Sequence, residues 1–459
     1  MTEHTADLVV LGGGSGGYAA AIRGAELGRT VVVIEKDKVG GTCLHRGCIP
    51  TKALLHAAEV ADHVRTAASV GVTASFGGID IAGVTAYREG IVAKKYKGLS
   101  GLLATRGITV VSGTGRLVSD PGGVAVTVGD DLYRGADVVL ATGSYSRTLP
   151  GLEIGGRVLT SEGALALAEV PQRVVILGGG VIGVEFASVW RSFGTEVTIV
   201  EALDRLAPAE DPALSKGLER AFRKRGIAAR VGVRFAGVTE TDAGVQVSLE
   251  DGTTIDADYL LVAVGRGPAT DGLGFAEAGV ALDRGFVTVD ERLQTSVPHV
   301  WAVGDIVAGL QLAHRGFQQG IFVAEEMAGL APIAVAEPTI PRITYSNPEL
   351  ASVGLTEAQA RAAHGDRVVT YEYNLAGNGK SEIIGTAGLV KVVRVADGPI
   401  IGVHLLGDRV GELITEGQLA VGWEAHPDDL APLVHAHPTQ SEALGEAFLA
   451  LAGKPLHAL

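Results

Sequence analysis

Leu8-Val9-Val10-Leu11-Gly12-Gly13-Gly14-Ser15-Gly16-Gly17 is a short apolar run that breaks into glycines. A small-residue stretch, Tyr18 to Leu27, follows, then Gly28 and a second apolar run, Thr30-Val31-Val32-Val33-Ile34, ending at Glu35. This order predicts strand, tight turn, helix and strand, with the spacing G-x-G-x-x-G at Gly12, Gly14 and Gly17. Gly12 permits the sharp bend, Gly14 lets a pyrophosphate approach the backbone, and Gly17 lets helix and strand pack closely. The helix N-terminus then offers free N–H groups to phosphate, and Glu35 is placed to bond a ribose hydroxyl. A glycine motif alone is weak; with all five parts in register it reads as a dinucleotide site.

The unit repeats. Val174-Val175-Ile176-Leu177 leads into Gly178, Gly180 and Gly183, a helix through Glu185 to Trp190, Gly194, and a strand from Glu196 to Val200 that ends at Glu201. Gly178, Gly183, Gly194 and Glu201 each lie 166 positions after Gly12, Gly17, Gly28 and Glu35. Two complete copies imply two dinucleotides. Glu201 would accept from the adenosine ribose of NAD but repel a 2′-phosphate, and Arg205 is the one arginine near it. NAD is expected over NADP.

Cys43 and Cys48 are the only two cysteines among 459 residues. They lie in Gly40-Gly41-Thr42-Cys43-Leu44-His45-Arg46-Gly47-Cys48-Ile49-Pro50-Thr51-Lys52. Pro50 suits the first turn of a helix, which puts Cys48 at a helix N-terminus, where dipole and free amides favour a thiolate. Lys52 adds positive charge one turn on. A disulfide closing so short a loop adds little stability, so redox use is the better reading. A buried inert pair and a partial metal site are the bland alternatives; zinc would need further ligands that no other cysteine supplies.

This segment resembles the redox motif of the FAD-dependent pyridine-nucleotide disulfide oxidoreductases, with His45-Arg46 in place of the commoner Asn-Val. The resemblance implies that Cys43 is the interchange thiol facing a dithiol substrate, that Cys48 is the thiolate facing the flavin, and that Lys52 lies near flavin N5. Further segments match. Ala141-Thr142-Gly143-Ser144 resembles the turn closing the FAD domain, and Val303-Gly304-Asp305 the second FAD signature. Thr344 to Leu355 resembles the start of the interface domain. The likeness implies FAD held by Gly12, Gly14, Gly17, Glu35, Gly41, Thr42, Lys52, Thr142, Gly143, Ser144 and Asp305. It likewise implies NAD held by Gly178, Gly180, Gly183, Glu201 and Gly265, with Glu185 near the nicotinamide. Read alone, Glu185 is equally a buried helix polar residue, and Gly304-Asp305 an ordinary turn.

His435-Ala436-His437-Pro438-Thr439-Gln440-Ser441-Glu442 is the last constellation. Alone it reads as a polar turn, a metal half-site or acid–base machinery. It closely resembles the tail of the dihydrolipoamide-oxidising branch of the same family. That likeness implies that His437 is the general base, that Glu442 orients it, and that the histidine reaches the thiols of a partner subunit.

The fold expected is α/β: two Rossmann-like dinucleotide-binding domains plus a C-terminal α+β dimerisation domain. The segments are 1–149 (FAD, first part), 150–268 (NAD), 269–340 (central, FAD second part) and 341–459 (interface). Two long helical stretches, His56 to Ala68 and Val84 to Arg106, are predicted inside the first, with Lys94-Lys95-Tyr96-Lys97 as a solvated face. A net charge of −14 and the absence of a basic run argue against nucleic acid. Without an apolar leader or a spanning run, a cytoplasmic protein is expected.

The implied activity is oxidation of dihydrolipoyl groups by NAD⁺ in a homodimer. Lipoyl domains of 2-oxoacid dehydrogenase acyltransferases, or the glycine cleavage H protein, are the expected partners. Rivals on the same scaffold are NAD(P)H-dependent reductases of glutathione or mycothiol disulfide and a non-catalytic flavoprotein subunit. Glu201 opposes the NADP-dependent glutathione type. The tail lacks the cysteine pair of mercuric reductases, and retention of both thiols with His437 and Glu442 opposes a structural role.

Overall fold

A computed structural model describes residues 2–457. The chain forms two compact units, one built from the residues through Ala53, Ala82–Arg147 and Arg266–Glu337. The other comprises Leu54–Ile81, Thr148–Gly265 and the residues from Pro338 onward.

In the first unit, β1 (Glu3–Leu11) leads through α1 (Ser15–Glu26) to β2 (Val31–Glu35). Then come α2 (Gly41–His45), α3 (Cys48–Thr66), which belongs to this unit only as far as Ala53, α4 (Ile81–Thr105), β3 (Thr109–Ser112), β4 (Gly115–Asp120), β5 (Gly123–Val128) and β6 (Asp131–Leu140). The sheet order is β3-β2-β1-β6-β5-β4, parallel from β3 to β6 and antiparallel beyond. The strand Val300–Ala302 joins β6 in parallel. β1 is longer than the apolar run because Glu3 to Ala6 pairs with Leu132 to Gly135. Leu8 and Val10 face one core while Val9 and Leu11 face another. Burial on both faces is why the strand reads as continuously apolar and does not alternate. α1 is lined with Gly and Ala because helix Ala313–Met327 crosses it closely; a Cβ on Gly320 would lie 2.3 Å from the Gly16 carbonyl oxygen.

The second unit carries a parallel sheet in the order Ala228–Val231, Glu196–Glu201, Arg173–Leu177, Tyr259–Val262 and Val158–Leu159. It also carries a five-stranded antiparallel sheet, Arg342–Thr344, Glu349–Gly354, Ile400–Gly407, Leu389–Val395 and Val368–Asn374. Helices Val410–Gly422 and Glu442–Leu451 pack on that sheet. The expected α/β class with an α+β C-terminal part is the observed one.

Both long helices form, with shifted ends. α3 begins at Cys48, is followed by a 3-10 turn over Ala67–Val70, and the chain turns at Gly71 with φ +78°. In α4, Lys94, Lys95 and Lys97 are exposed, whereas Tyr96 is half-buried against the core.

Candidate active site

The two glycine turns are near copies in three dimensions. Gly12 and Gly178 adopt φ of +105° and +108°, where a Cβ would be strained. A Cβ on Gly17 would sit 1.8 Å from the Gly12 carbonyl oxygen, and one on Gly183 2.0 Å from that of Gly178. Gly14 and Gly180, by contrast, face open space. They cap helices Ser15–Glu26 and Val181–Phe193 without a side-chain cap and without an acidic residue in the first turn. Each helix thus opens on free amides and an unopposed dipole beside an unfilled approach, which fits a dinucleotide pyrophosphate.

The acidic residue ending each second strand is tied to its own glycine turn. Glu35 accepts from the Gly13 and Asp37 amides at 2.7 and 2.9 Å. Glu201 accepts from the Gly179 and Leu203 amides, both at 2.7 Å. Each carboxylate keeps lone pairs for a ribose hydroxyl. Arg205 bonds Asp204 and the Pro208 carbonyl, both at 3.1 Å. A fixed, buried carboxylate with its neighbouring arginine so engaged suits an unphosphorylated ribose.

The cysteine loop lies on the first of these turns. Gly40 donates its N–H to the Gly13 carbonyl at 2.8 Å, and a Cβ on Gly41 would lie 2.8 Å from the Gly14 Cα. Only a glycine at φ +59° lets Thr42 and Cys43 follow at that separation. The Arg46 N–H then closes onto the Thr42 carbonyl at 2.9 Å, and α3 starts at Cys48. Cys43 and Cys48 are in the reduced form and in hydrogen-bonding contact. That contact, then burial, then the negative charge on Cys48 push the Cys43 thiol far above its ordinary range. Lys52 pulls it down and Asp305 adds to the rise.

The two residues that depart from the commoner loop have structural work. His45 bonds the Val39 carbonyl through Nε2 at 2.9 Å and meets the Tyr96 ring edge-on at 5.3 Å, while Arg46 pairs with Asp37. Tyr18 was not singled out by sequence reasoning; burial, and then the Cys43 charge, push its hydroxyl up to about 12.

Around Asp305, Ser144 donates its hydroxyl to Oδ2 at 2.5 Å, and Arg266 donates through Nε to the same hydroxyl oxygen at 2.7 Å. Gln319 accepts from the Gly304 amide at 2.8 Å. Thr142 donates to the Ala269 carbonyl at 2.6 Å, and Gly143 turns with φ +75°. In the second unit, Gly265 has φ +104°, and Glu185 is buried with Oε1 accepting from the Tyr345 amide at 2.9 Å. Arg266 and Gln319 lie outside the residues expected from sequence.

At the C-terminal tail, His437 Nδ1 meets Glu442 Oε1 at 2.8 Å, and Glu442 Oε2 accepts from the Thr439 amide at 2.8 Å. Burial works to raise the Glu442 carboxyl, but the Thr439 amide and His437 hold it below its usual range. The His437 side chain is 80% exposed, so its other ring nitrogen is free to meet a substrate. His435 is a separate pair: its Nε2 meets Glu416 at 2.8 Å, which raises the imidazole above its ordinary value.

Among the described residues, no group of three or more His, Cys, Asp or Glu side chains could hold a metal, and no helix is long and apolar enough to cross a membrane. Residues 6–320 match the model for pyridine nucleotide-disulphide oxidoreductase, and residues 340–448 match that family's dimerisation domain. A dihydrolipoyl dehydrogenase of Bacillus subtilis is 40% identical, covering 99% of both chains. The mitochondrial dihydrolipoyl dehydrogenase of Pisum sativum is 38% identical, covering 98% of this chain and 92% of the relative. Among solved structures, LpdA from Mycobacterium tuberculosis superposes with a TM-score of 0.90 at 28% identity, covering 98% of this chain and 100% of that one. The Cu(II) complex of RclA, an HOCl-induced flavoprotein disulfide reductase from Escherichia coli, gives 0.86 at 28% identity over 97% and 99%. The chain belongs to the pyridine nucleotide-disulphide oxidoreductase family.

Proposed function

We propose that this protein is a dihydrolipoyl dehydrogenase, using FAD as resident cofactor and NAD⁺ as acceptor. The observation that carries the reading is the Cys43–Cys48 sulfur contact at the head of α3, in a chain whose whole length matches dihydrolipoyl dehydrogenases. FAD would be held by Gly12, Gly14, Gly17, Glu35, Gly41, Thr42, Lys52, Thr142, Gly143, Ser144 and Asp305. NAD would be held by Gly178, Gly180, Gly183, Glu201 and Gly265, with Glu185 near the nicotinamide. Bound FAD supplies the two-electron relay between thiols and nicotinamide.

The chain's own groups do the sulfur chemistry. In the oxidised protein Cys43 and Cys48 form a disulfide. His437, its Nδ1–H held by Glu442, takes a proton at Nε2 from one substrate thiol. The resulting thiolate attacks Cys43 and Cys48 departs as a thiolate, favoured by its place at the start of α3 and by Lys52. The second substrate thiol then attacks the mixed disulfide, releasing the cyclic disulfide product and leaving the proton on Cys43.

The exposed imidazole of a single chain suits a homodimer, in which it serves the thiols of a second copy. Leu433 and Val434, 54% and 97% exposed just before the histidines, supply apolar surface for that contact. The reducing substrate is proposed to arrive on a lipoyl domain of a 2-oxoacid dehydrogenase acyltransferase or a glycine cleavage H protein.

Purified protein is assayed with NAD⁺ and dihydrolipoamide, and separately with NADPH and glutathione or mycothiol disulfide. Turnover in the first mixture is expected. Turnover only in the second would overturn the substrate assignment.

A further inference from the structure

We propose that Arg266 is a positioning residue which, through Ser144, fixes the Asp305 carboxylate and offsets its negative charge at the redox pair. Arg266 lies on strand Arg266–Pro268, paired antiparallel with Ser144–Ser146 so that Pro268 faces Ser144. From there the guanidinium grips the opposite strand at three points. Nε donates to the Ser144 hydroxyl at 2.7 Å, Nη2 to the Ser144 carbonyl at 2.8 Å, and Nη1 to the Ser146 hydroxyl at 3.3 Å. Ser144 accepts from a cation and donates to an anion, Asp305 Oδ2, at 2.5 Å. Each bond of such a chain is charge-assisted, and each polarises the next. The hydroxyl is thereby held with its proton toward Asp305.

The carboxylate is also fixed from behind. Gln319 holds the Gly304 amide, and the buried Arg315 donates to the Gly304 and Ala308 carbonyls at 3.4 and 2.8 Å. Arg315 is engaged with backbone and with Glu337 at 2.5 Å, whereas Arg266 is the cation joined to the Asp305 side chain through one hydroxyl. The charges that act on Cys43 come from Cys48 and Lys52 on α3 and from Asp305 on its turn, while Tyr18 on α1 feels the charge of Cys43. Lys52 favours the Cys43 thiolate and Asp305 opposes it. A positive charge tied to Asp305 weakens that opposition, so Arg266 acts on Cys43 without touching it.

The proposal rests on the reading of Cys43 as the reactive thiol. It is tested on FAD-loaded, dithiothreitol-reduced protein by the rate of iodoacetamide alkylation of Cys43 against pH, resolved by mass spectrometry. Arg266→Gln leaves Asp305 uncompensated, so the Cys43 profile moves to higher pH and alkylation at pH 8 slows by roughly threefold to tenfold. Arg266→Lys keeps the charge and recovers most of the rate. Asp305→Asn moves the profile the other way, and Arg266→Gln added to it changes little. Ser144→Ala, which leaves both charges in place, gives a smaller shift in the direction of Arg266→Gln and carries the test if Arg266→Gln does not fold. Profiles for Arg266→Gln or Ser144→Ala that superimpose on wild type would overturn the proposal. So would an Arg266→Gln shift that persists undiminished beside Asp305→Asn. Absence of Cys43 alkylation in wild-type protein at every pH would instead overturn the reading of Cys43 as the reactive thiol.

Discussion

At His437, one ring nitrogen is committed to Glu442 and the other is left for solvent or substrate. A base held in one tautomer by a carboxylate is efficient because its orientation is set before the proton moves. His437→Gln keeps a polar side chain but cannot take the proton. Dihydrolipoamide turnover should fall by about 10²- to 10⁴-fold while FAD content, read by absorbance, stays at the wild-type level. Undiminished turnover would remove His437 as the base. These residues were legible because histidine, proline and glutamate sit within eight consecutive positions. Arg266 was not grouped in advance with Ser144 and Asp305: 122 positions separate it from Ser144, and a single sequence carries no distance across such a gap.

Among elements, the strand–turn–helix copies were readable because each glycine answers a local steric demand that other residues fail. Gly183 and Gly180 divide those demands. A methyl on Gly183 meets the Gly178 backbone oxygen, which cannot yield, so Gly183→Ala should destabilise the unit by about 1–3 kcal/mol. Gly180→Ala meets nothing in the chain and should leave the melting temperature unchanged while weakening NADH binding, read by fluorescence titration. NADH binding equal to wild type in Gly180→Ala would contradict a pyrophosphate at that position.

The join between strand Glu349–Gly354 and helix Val410–Gly422 was invisible in sequence, because it depends on burial. Glu349 accepts from the Gly411 amide at 2.9 Å, and burial, reinforced by Asp408, Glu412 and Glu59, raises its carboxyl to about 7. Folding therefore favours the protonated form. The stabilising contribution is complete below pH 4.5, the ordinary value, and is lost as pH rises through about 7. Glu349→Gln keeps an acceptor and removes the charge, so it should stabilise by about 1–3 kcal/mol at pH 8 and by little at pH 4.5, measured by urea unfolding. A gain independent of pH would show that ionisation is not its source.

For the whole molecule, the doubled dinucleotide unit, the cysteine loop and the C-terminal α+β part were all foreseeable from motif spacing and resemblance. The seven-stranded sheet is assembled from segments far apart in the chain: Val300–Ala302 pairs with β6, more than 150 positions earlier. No periodicity announces such a pairing. His437 is exposed, and residues 340–448 match the family's dimerisation domain. The central claim, that thiols and imidazole from two copies make one site, predicts complementation. Cys48→Ser and His437→Gln proteins, each inactive toward dihydrolipoamide as homodimers, are mixed, unfolded and refolded together with FAD. Random pairing makes half the dimers mixed, each with one intact site, so about one quarter of wild-type turnover should return. Recovery of none, with mixed dimers demonstrated by mass spectrometry, would contradict the account.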